Sequence, residues 1–199
     1  MRAPEIGERE LEPVGPMTWQ EFLAFEELAT IKHEFVRGYA YPHGDWATDL
    51  AGASTRHNRI ASNLQGELYA LAKASPLSCD VFGSDERLYV ADLERGYYAD
   101  ALLVCEARVD PQFVDRPCLV IEVTSRGTAR NDREEKLDAY RRLESLRAYW
   151  IVAPDERRVT RWWRGIDGWS EQIITEGEIS VPSVDGTLAL AAIYARSGV

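Results

Sequence analysis

Two strand-length runs of the chain are almost wholly apolar, and each carries one acidic residue. The first run, Ala99–Cys105, has Asp100 near its start, and the second, Cys118–Val123, has Glu122 near its end. Runs that are apolar on both faces usually form central strands, where an ionised carboxylate is costly unless a partner compensates it. The chain is therefore constrained to a layered fold around a sheet with two acids that need compensation.

Helix and strand signals alternate irregularly along the rest of the chain. The spacing of Thr18 and Glu21 matches a capping box and predicts a short helix through Phe22–Leu28. Ser54 or Thr55 can cap a long helix to about Lys73, and a further helix is predicted at roughly 131–144. Strands are predicted at 33–41 with a bend at Gly38, 80–83, 87–90, 98–105, 119–124, 148–152, 159–163 and, more weakly, 172–175 and 179–181. This order predicts an α/β or α+β fold, with a mixed central sheet flanked by helices and a hairpin late in the chain.

Length and composition favour one domain. The chain has 199 residues, and its polar first 16 residues, with three prolines, predict a disordered lead before a single domain at 17–199. No secretory signal and no apolar stretch of membrane-spanning length are visible, which excludes a membrane span. Cys105 and Cys118 lie in apolar runs, so buried free thiols and a reducing cytoplasm are expected.

The charge distribution leaves the class of partner open. A net charge of −10 opposes non-specific attraction to nucleic acid. Between Arg126 and Arg164, however, 11 basic residues stand against 7 acidic ones, which is a local excess of +4. This stretch could face DNA, or it could be an ordinary solvated helix and hairpin.

Strand geometry alone does not decide the environment of either acid. Glu122 shares a strand face with Val120 and Thr124, so it points under whatever covers the sheet or reaches water at a twisted strand end. Asp100 could stand beside Glu122 on a neighbouring strand, or it could be a turn aspartate. Both alternatives remain open at this point.

Helical geometry gives Lys136 a more definite direction. At about 100° per residue, Lys136 lies about 40° from Asp132 and falls within the apolar arc that includes Ala139 and Tyr140. Its charged neighbours Glu134, Glu135 and Asp138 fall on the opposite arc, so Lys136 faces the core. The lysine either pairs structurally with Glu122 or belongs to a site.

Two carboxylates and a lysine at one place suit metal-assisted phosphodiester hydrolysis. Carboxylates hold Mg²⁺ or Mn²⁺ through hard oxygen ligands and leave waters in place. The metal activates a water and offsets charge on the transition state, and an ammonium group can orient that water or stabilise the charge.

The ordered pieces of the chain resemble the PD-(D/E)XK nuclease superfamily, and more closely a large bacterial group of restriction-endonuclease-like proteins catalogued as a domain of unknown function. The resemblance covers roughly residues 17–192. The matching pieces are 18–23, 33–38, 56–60, 99–104, 119–125, 128–140 and 149–152.

This resemblance implies a restriction-endonuclease-like fold and a set of site residues. Asp100 and Glu122 would bind the metal, with the backbone carbonyl of Val123 as a further ligand. The superfamily normally places its lysine two residues after the second acid, where this chain has Thr124. The close group resembles a variant that takes the lysine from the following helix, which is Lys136 here.

A second set of residues is predicted with accessory roles. Glu34 is an accessory acid or a surface strand residue, and His57 is a ligand or a near-core histidine on the long helix. Thr124 stands at the position where the superfamily usually has its lysine. Asp132 is expected in the first turn of its helix, where the helix dipole stabilises an acidic residue. Tyr140 is either a core residue or a site residue.

The leading hypothesis is a Mg²⁺- or Mn²⁺-dependent DNA endonuclease, as a homodimer where both strands of a duplex are cut together. The alternatives are an inactive nucleic-acid- or protein-binding module on the same fold, which the acidic charge favours, and a metal phosphodiesterase that acts on small substrates.

Overall fold

The structure is a computed structural model that describes residues 12–43, 54–124 and 131–199, with the backbone alone at residues 131–134. Four α-helices lie within these ranges. They are α1 (Trp19–Glu26), α2 (Thr55–Ala74), α3 (Asn131–Tyr140) and α4 (Leu190–Ile193). The strands are β1 (His33–Val36), β2 (Tyr39–Pro42), β3 (Asp80–Gly83), β4 (Arg87–Val90), β5 (Arg95–Tyr98), β6 (Ala101–Val104), β7 (Leu119–Val123), β8 (Ala148–Val152), β9 (Val159–Gly165), β10 (Gly168–Ile174), β11 (Glu178–Ser180) and β12 (Thr187–Ala189).

The described strands form three sheets. The largest is mixed, in the order β10-β9-β8-β7-β6-β3, and the pair β7–β8 is parallel. A second sheet has the order β2-β1-β5-β4, and β11 pairs with β12. The parallel pair requires a crossover, which α3 supplies. The predicted α/β class with a mixed central sheet is confirmed, as is the hairpin of β8 and β9.

The two faces of the large sheet are covered differently. Leu119, Ile121 and Val123 pack in a core cluster with the buried face of α2. Val120 belongs to the other cluster, with Tyr140 at the end of α3. Side chains alternate along a strand, so Glu122 also faces the α3 side. The sheet and α3 thus bury Glu122 to 6% exposure.

The capping box predicted at the start of α1 is confirmed. The Thr18 hydroxyl accepts from the Glu21 N–H, and the Glu21 carboxylate accepts from the Thr18 N–H. These bonds satisfy backbone donors that would otherwise lack helix partners. The aromatic face of α1 then packs Trp19 and Phe22 against Phe35 of β1.

Two predicted elements are shorter than expected. The run 98–105 is not one strand, because the chain leaves the small sheet after Tyr98 and enters the large sheet at Ala101. Asp100 lies in the bend between them. The last predicted helix ends at Tyr140, where i→i−3 backbone bonds such as Leu143 N to Tyr140 O tighten the chain before β8.

The prediction of free thiols is wrong for Cys105. Strands β3 and β6 pair Asp80 with Val104, so Cys79 and Cys105 are the next residues along, and they form a disulfide. Cys118 is a buried free thiol, as predicted. The cysteines therefore give no support to a reducing compartment, and the cytoplasmic location stays a prediction.

Within the parts of the chain described above, no helix has both the length and the apolar character needed to cross a bilayer.

Candidate active site

Asp100 and Glu122 lie at the same end of the large sheet. The antiparallel register of β6 and β7 places Ala101 opposite Ile121. The pairing ends there, with Asp100 just before Ala101 and Glu122 just after Ile121, and the charge of Asp100 is close enough to raise the pKa of Glu122. A sequence-distant pair of carboxylates is therefore created by strand pairing.

Backbone and side-chain donors hold the Asp100 carboxylate in place. Its Oδ2 accepts from the backbone N–H of Val123 at 2.7 Å, and its Oδ1 lies 2.9 Å from Nε2 of His57 in the first turn of α2. The side-chain amide of Gln65 donates to the Asp100 carbonyl at 2.8 Å. Asp100 is thus fixed to both β7 and α2, although it lies outside a strand.

Glu122 is bound by two residues of α3. The Tyr140 hydroxyl donates to Glu122 Oε1 at 2.8 Å, and Lys136 Nζ lies 3.3 Å from the same oxygen. Lys136 and Tyr140 are four residues apart and so lie on one helix face. The inward direction that helical geometry predicted for Lys136 is observed, and Tyr140 contacts the acid as well as the core.

The small sheet contributes a third carboxylate. Glu34 of β1 lies 3.3 Å from Lys136 Nζ and, through the same oxygen, 3.3 Å from Nδ1 of His43. Lys136 is 16% exposed and bridges two carboxylates that are themselves largely covered. The site therefore joins the ends of two sheets through one ammonium group.

These contacts shift the pKa values in opposite directions. Burial raises the pKa of Glu122 against the attraction of Lys136, and the charge of Asp100 raises it further. Burial would also raise the pKa of Glu34, but Lys136 and His43 outweigh it and lower that pKa to about 2. Burial disfavours the charged form of Lys136, but Glu122 and Glu34 hold its pKa well above the ordinary value. These shifts favour a charged Lys136 and an ionised Glu34 at neutral pH.

Replacing Glu34 by glutamine should remove stability that the wild-type protein has at neutral pH and loses in acid. The pKa of Glu34 is about 2 in the folded protein and about 4.3 in an unfolded chain. A depressed pKa contributes stability that is complete above the unfolded value and is lost as the pH falls toward 2. The expected loss is about 3 kcal/mol at neutral pH.

Urea unfolding of both proteins between about pH 3 and pH 7 measures this loss. The gap between their free energies of unfolding should stay constant from pH 7 to about pH 5 and narrow below that pH. A gap that stays constant over the whole range would show that the Lys136–Glu34 pair contributes nothing.

The donor set fits a hard divalent cation. In the described ranges no group of three or more His, Cys, Asp or Glu side chains forms a dedicated metal cage. Mg²⁺ does not require one, because it commonly binds through one or two carboxylates together with water and substrate phosphate. Asp100 and Glu122 are two such carboxylates, and the carbonyl of Val123 stays a predicted further ligand.

The remaining predicted accessory residues are Thr124 and Asp132. Thr124 follows β7 and donates its backbone N–H to Val152. The side chain of Asp132, like residues 125–130 of the matched pieces, lies outside the described residues.

Sequence reasoning missed His43 and Gln65. Gln65 follows His57 by eight residues, a little over two helical turns, so helical spacing could have identified it. His43 is brought to Glu34 only by the β1–β2 pairing. No periodicity in the sequence marks it.

Comparison with known proteins identifies relatives of the chain. Residues 19–192 match the model of the Uma2 family, which is described as "putative restriction endonuclease". Two uncharacterized proteins of Synechocystis sp. are similar in sequence. One, sll1609, is 34% identical over 143 residues, 68% of this chain and 74% of that protein. The other, slr1290, is 26% identical over 159 residues, 78% of each chain.

A solved structure shares the fold. The crystal structure of a putative nuclease of the DUF820 group from Anabaena variabilis superimposes with a TM-score of 0.63 at 15% sequence identity. The superposition covers 90% of this chain and 98% of that one.

Proposed function

The chain belongs to the Uma2 family of putative restriction endonucleases, and we propose that it is a divalent-metal-dependent DNA endonuclease. The observation that carries the proposal is the Lys136 ammonium group, 3.3 Å from Glu122 and 3.3 Å from Glu34, where Glu122 also feels the charge of Asp100. An inactive scaffold has no need to bury a lysine between acids that approach from two separate sheets.

Asp100 and Glu122, with the Val123 carbonyl, would hold Mg²⁺ or Mn²⁺. When bound, the cation lowers the pKa of a water molecule and offsets negative charge on the phosphoryl group. The N–H of Val123 and His57 Nε2 keep the Asp100 carboxylate oriented toward β7 and α2. Tyr140 orients Glu122 in the same way. Such second contacts determine how ligands are presented to a metal.

Lys136 acts as a fixed charge in this proposal. A lysine with a raised pKa stays protonated at neutral pH, so it donates hydrogen bonds and does not accept a proton. It can stabilise negative charge on the phosphate oxygens or hold the attacking water. Glu34 and Glu122 position it for either role.

The proposed substrate is DNA, and the number of sites limits how it is cut. One chain contributes one set of Asp100, Glu122 and Lys136. Cleavage of both strands in one encounter would therefore need two chains, as in a homodimer. A monomer would release nicked circular plasmid first, and linear plasmid would follow only after a second encounter.

The direct test uses supercoiled plasmid with Mn²⁺ or Mg²⁺ and with EDTA. The wild-type protein should convert supercoiled plasmid to nicked and linear forms with either metal and should be inactive in EDTA. A parallel assay with a small phosphodiester such as bis(p-nitrophenyl) phosphate should show slow turnover. Rapid hydrolysis of the small diester without plasmid cleavage would instead favour a small-substrate phosphodiesterase.

A further inference from the structure

Two half-exposed tyrosines project from β2 on the side that carries Glu34. Tyr39 is 39% exposed and Tyr41 is 41% exposed. In the antiparallel pair of β1 and β2, Tyr41 lies opposite Glu34, and Tyr39 lies opposite Val36. Directly opposed residues project from the same face, so Tyr41 stands next to Glu34, whose carboxylate contacts Lys136, and Tyr39 lies two residues further along that face. We call Tyr39 and Tyr41 the tyrosine face.

The backbone beneath the tyrosine face is bonded along both edges. Ala40 lies opposite Phe35 on one side and exchanges two hydrogen bonds with Val14 on the other, at 2.8 and 2.9 Å. A β-carbon on Gly15 would come within 2.8 Å of the Tyr39 ring, so that ring lies directly against the Gly15 backbone. The rings are thus carried on a strand whose backbone is hydrogen-bonded on both sides. A ligand that stacks on them would order little of the protein.

The chemistry of the tyrosine face matches unpaired nucleic-acid bases. Residues i and i+2 of a strand are about 6.6 Å apart on one face. Aromatic side chains displayed on a sheet in this way stack on the bases of single strands, which a duplex keeps inside its own stack. We propose that Tyr39 and Tyr41 stack on bases of single-stranded DNA that enters the candidate active site. This inference rests on the proposed endonuclease function and narrows its substrate to DNA with an unpaired segment.

Charge supports stacking as the main source of affinity. The chain carries a net charge of −10, which disfavours binding driven by the phosphate backbone. Stacking does not depend on net charge, and it is tolerant of base sequence. Exposed Arg37, at the turn between β1 and β2, is the neighbouring cation on the hairpin itself. Binding should therefore weaken only slightly with added salt. The logarithm of the binding constant should fall with the logarithm of salt concentration with a slope of about −0.7 for each phosphate neutralised.

The test measures binding in EDTA, where no cleavage is required. The probe is a fluorescein-labelled oligothymidylate of about twelve nucleotides, compared with an abasic strand and a duplex of equal length. The variants are the double substitution Tyr39→Ala/Tyr41→Ala, the double substitution Tyr39→Phe/Tyr41→Phe, and Tyr69→Ala. Tyr69 is a matched control because it is a 61% exposed tyrosine near the far end of α2.

Wild-type protein should bind oligothymidylate at least about tenfold more tightly than the abasic strand or the duplex. The alanine pair should lose about 10- to 100-fold in affinity, because each base–aromatic stack raises the affinity by about tenfold. The phenylalanine pair and Tyr69→Ala should bind like wild type. Equal binding of the abasic strand, preferred binding of the duplex, or unchanged binding by the alanine pair overturns the inference.

The same assays separate this inference from the endonuclease proposal. Loss of oligothymidylate binding in the alanine pair supports the tyrosine face even if no plasmid is cleaved. Plasmid cleavage without tyrosine-dependent binding leaves the endonuclease and removes the tyrosine face. If sedimentation shows that the alanine pair only dissociates a dimer, with oligothymidylate affinity unchanged, the face binds a second copy of the chain and the inference fails.

Discussion

Replacing Asp100 by asparagine should reduce plasmid cleavage by about a thousandfold or more and should abolish Mn²⁺ binding. The substitution keeps the shape of the side chain but removes one of two negative charges available to the cation. The hydrogen bonds can survive, because the amide oxygen can accept from the Val123 N–H while His57 changes tautomer to accept from the amide nitrogen. The fold should therefore persist while the site fails. Cleavage rates on plasmid and calorimetric titration with Mn²⁺ measure the two effects.

Asp85→Asn is the matched control for this experiment. Asp85 is 94% exposed at its side chain and contacts Lys32 on the surface. The same loss of one charge there should leave cleavage and Mn²⁺ affinity at wild-type values. If Asp100→Asn cleaves plasmid as fast as Asp85→Asn does, Asp100 is not a metal ligand.

Parts of the candidate site were predictable because they depend on local geometry. The rotation of 100° per residue fixes the direction of Lys136 relative to the rest of α3, and the observed contact with Glu122 agrees with it. Strand alternation likewise places Glu122 on the face of Val120, and a buried strand leaves it few partners. Neither prediction depends on which elements are neighbours in space.

Other parts depend on pairings between distant segments. The break between β5 and β6 puts Asp100 in a bend between two sheets, although the apolar pattern reads as one continuous strand. The β3–β6 pairing creates the disulfide of Cys79 and Cys105, which the odd cysteine count does not reveal. The contact of His43 with Glu34 likewise needs the β1–β2 register. Sequence patterns specify faces, whereas strand register specifies which faces meet.

The site is held together by opposite charges, so a substitution of Lys136 can affect both the stability of the fold and the reaction. Lys136 is the cation shared by Glu122 and Glu34, so its loss affects two buried acids at once. Removing one partner of a buried ion pair costs several kcal/mol, because the remaining charge has no compensation. A loss of activity in a lysine variant could then reflect a damaged fold, and the design of the variant must exclude that.

Lys136→Met should lose plasmid cleavage by about 100-fold or more, because the fixed charge that stabilises the transition state is gone. Its Mn²⁺ affinity should equal or exceed that of wild type, since the ammonium group no longer competes for Glu122. Its free energy of unfolding should fall by about 3 kcal/mol.

Adding Glu34→Gln to Lys136→Met removes one uncompensated acid and should restore part of that stability without restoring cleavage. Urea unfolding, Mn²⁺ titration and plasmid assays on the single and double variants measure the stability, the metal affinity and the cleavage rate. If the double variant regains cleavage together with stability, or if Lys136→Met cleaves as fast as wild type, Lys136 supports the fold and takes no part in the reaction.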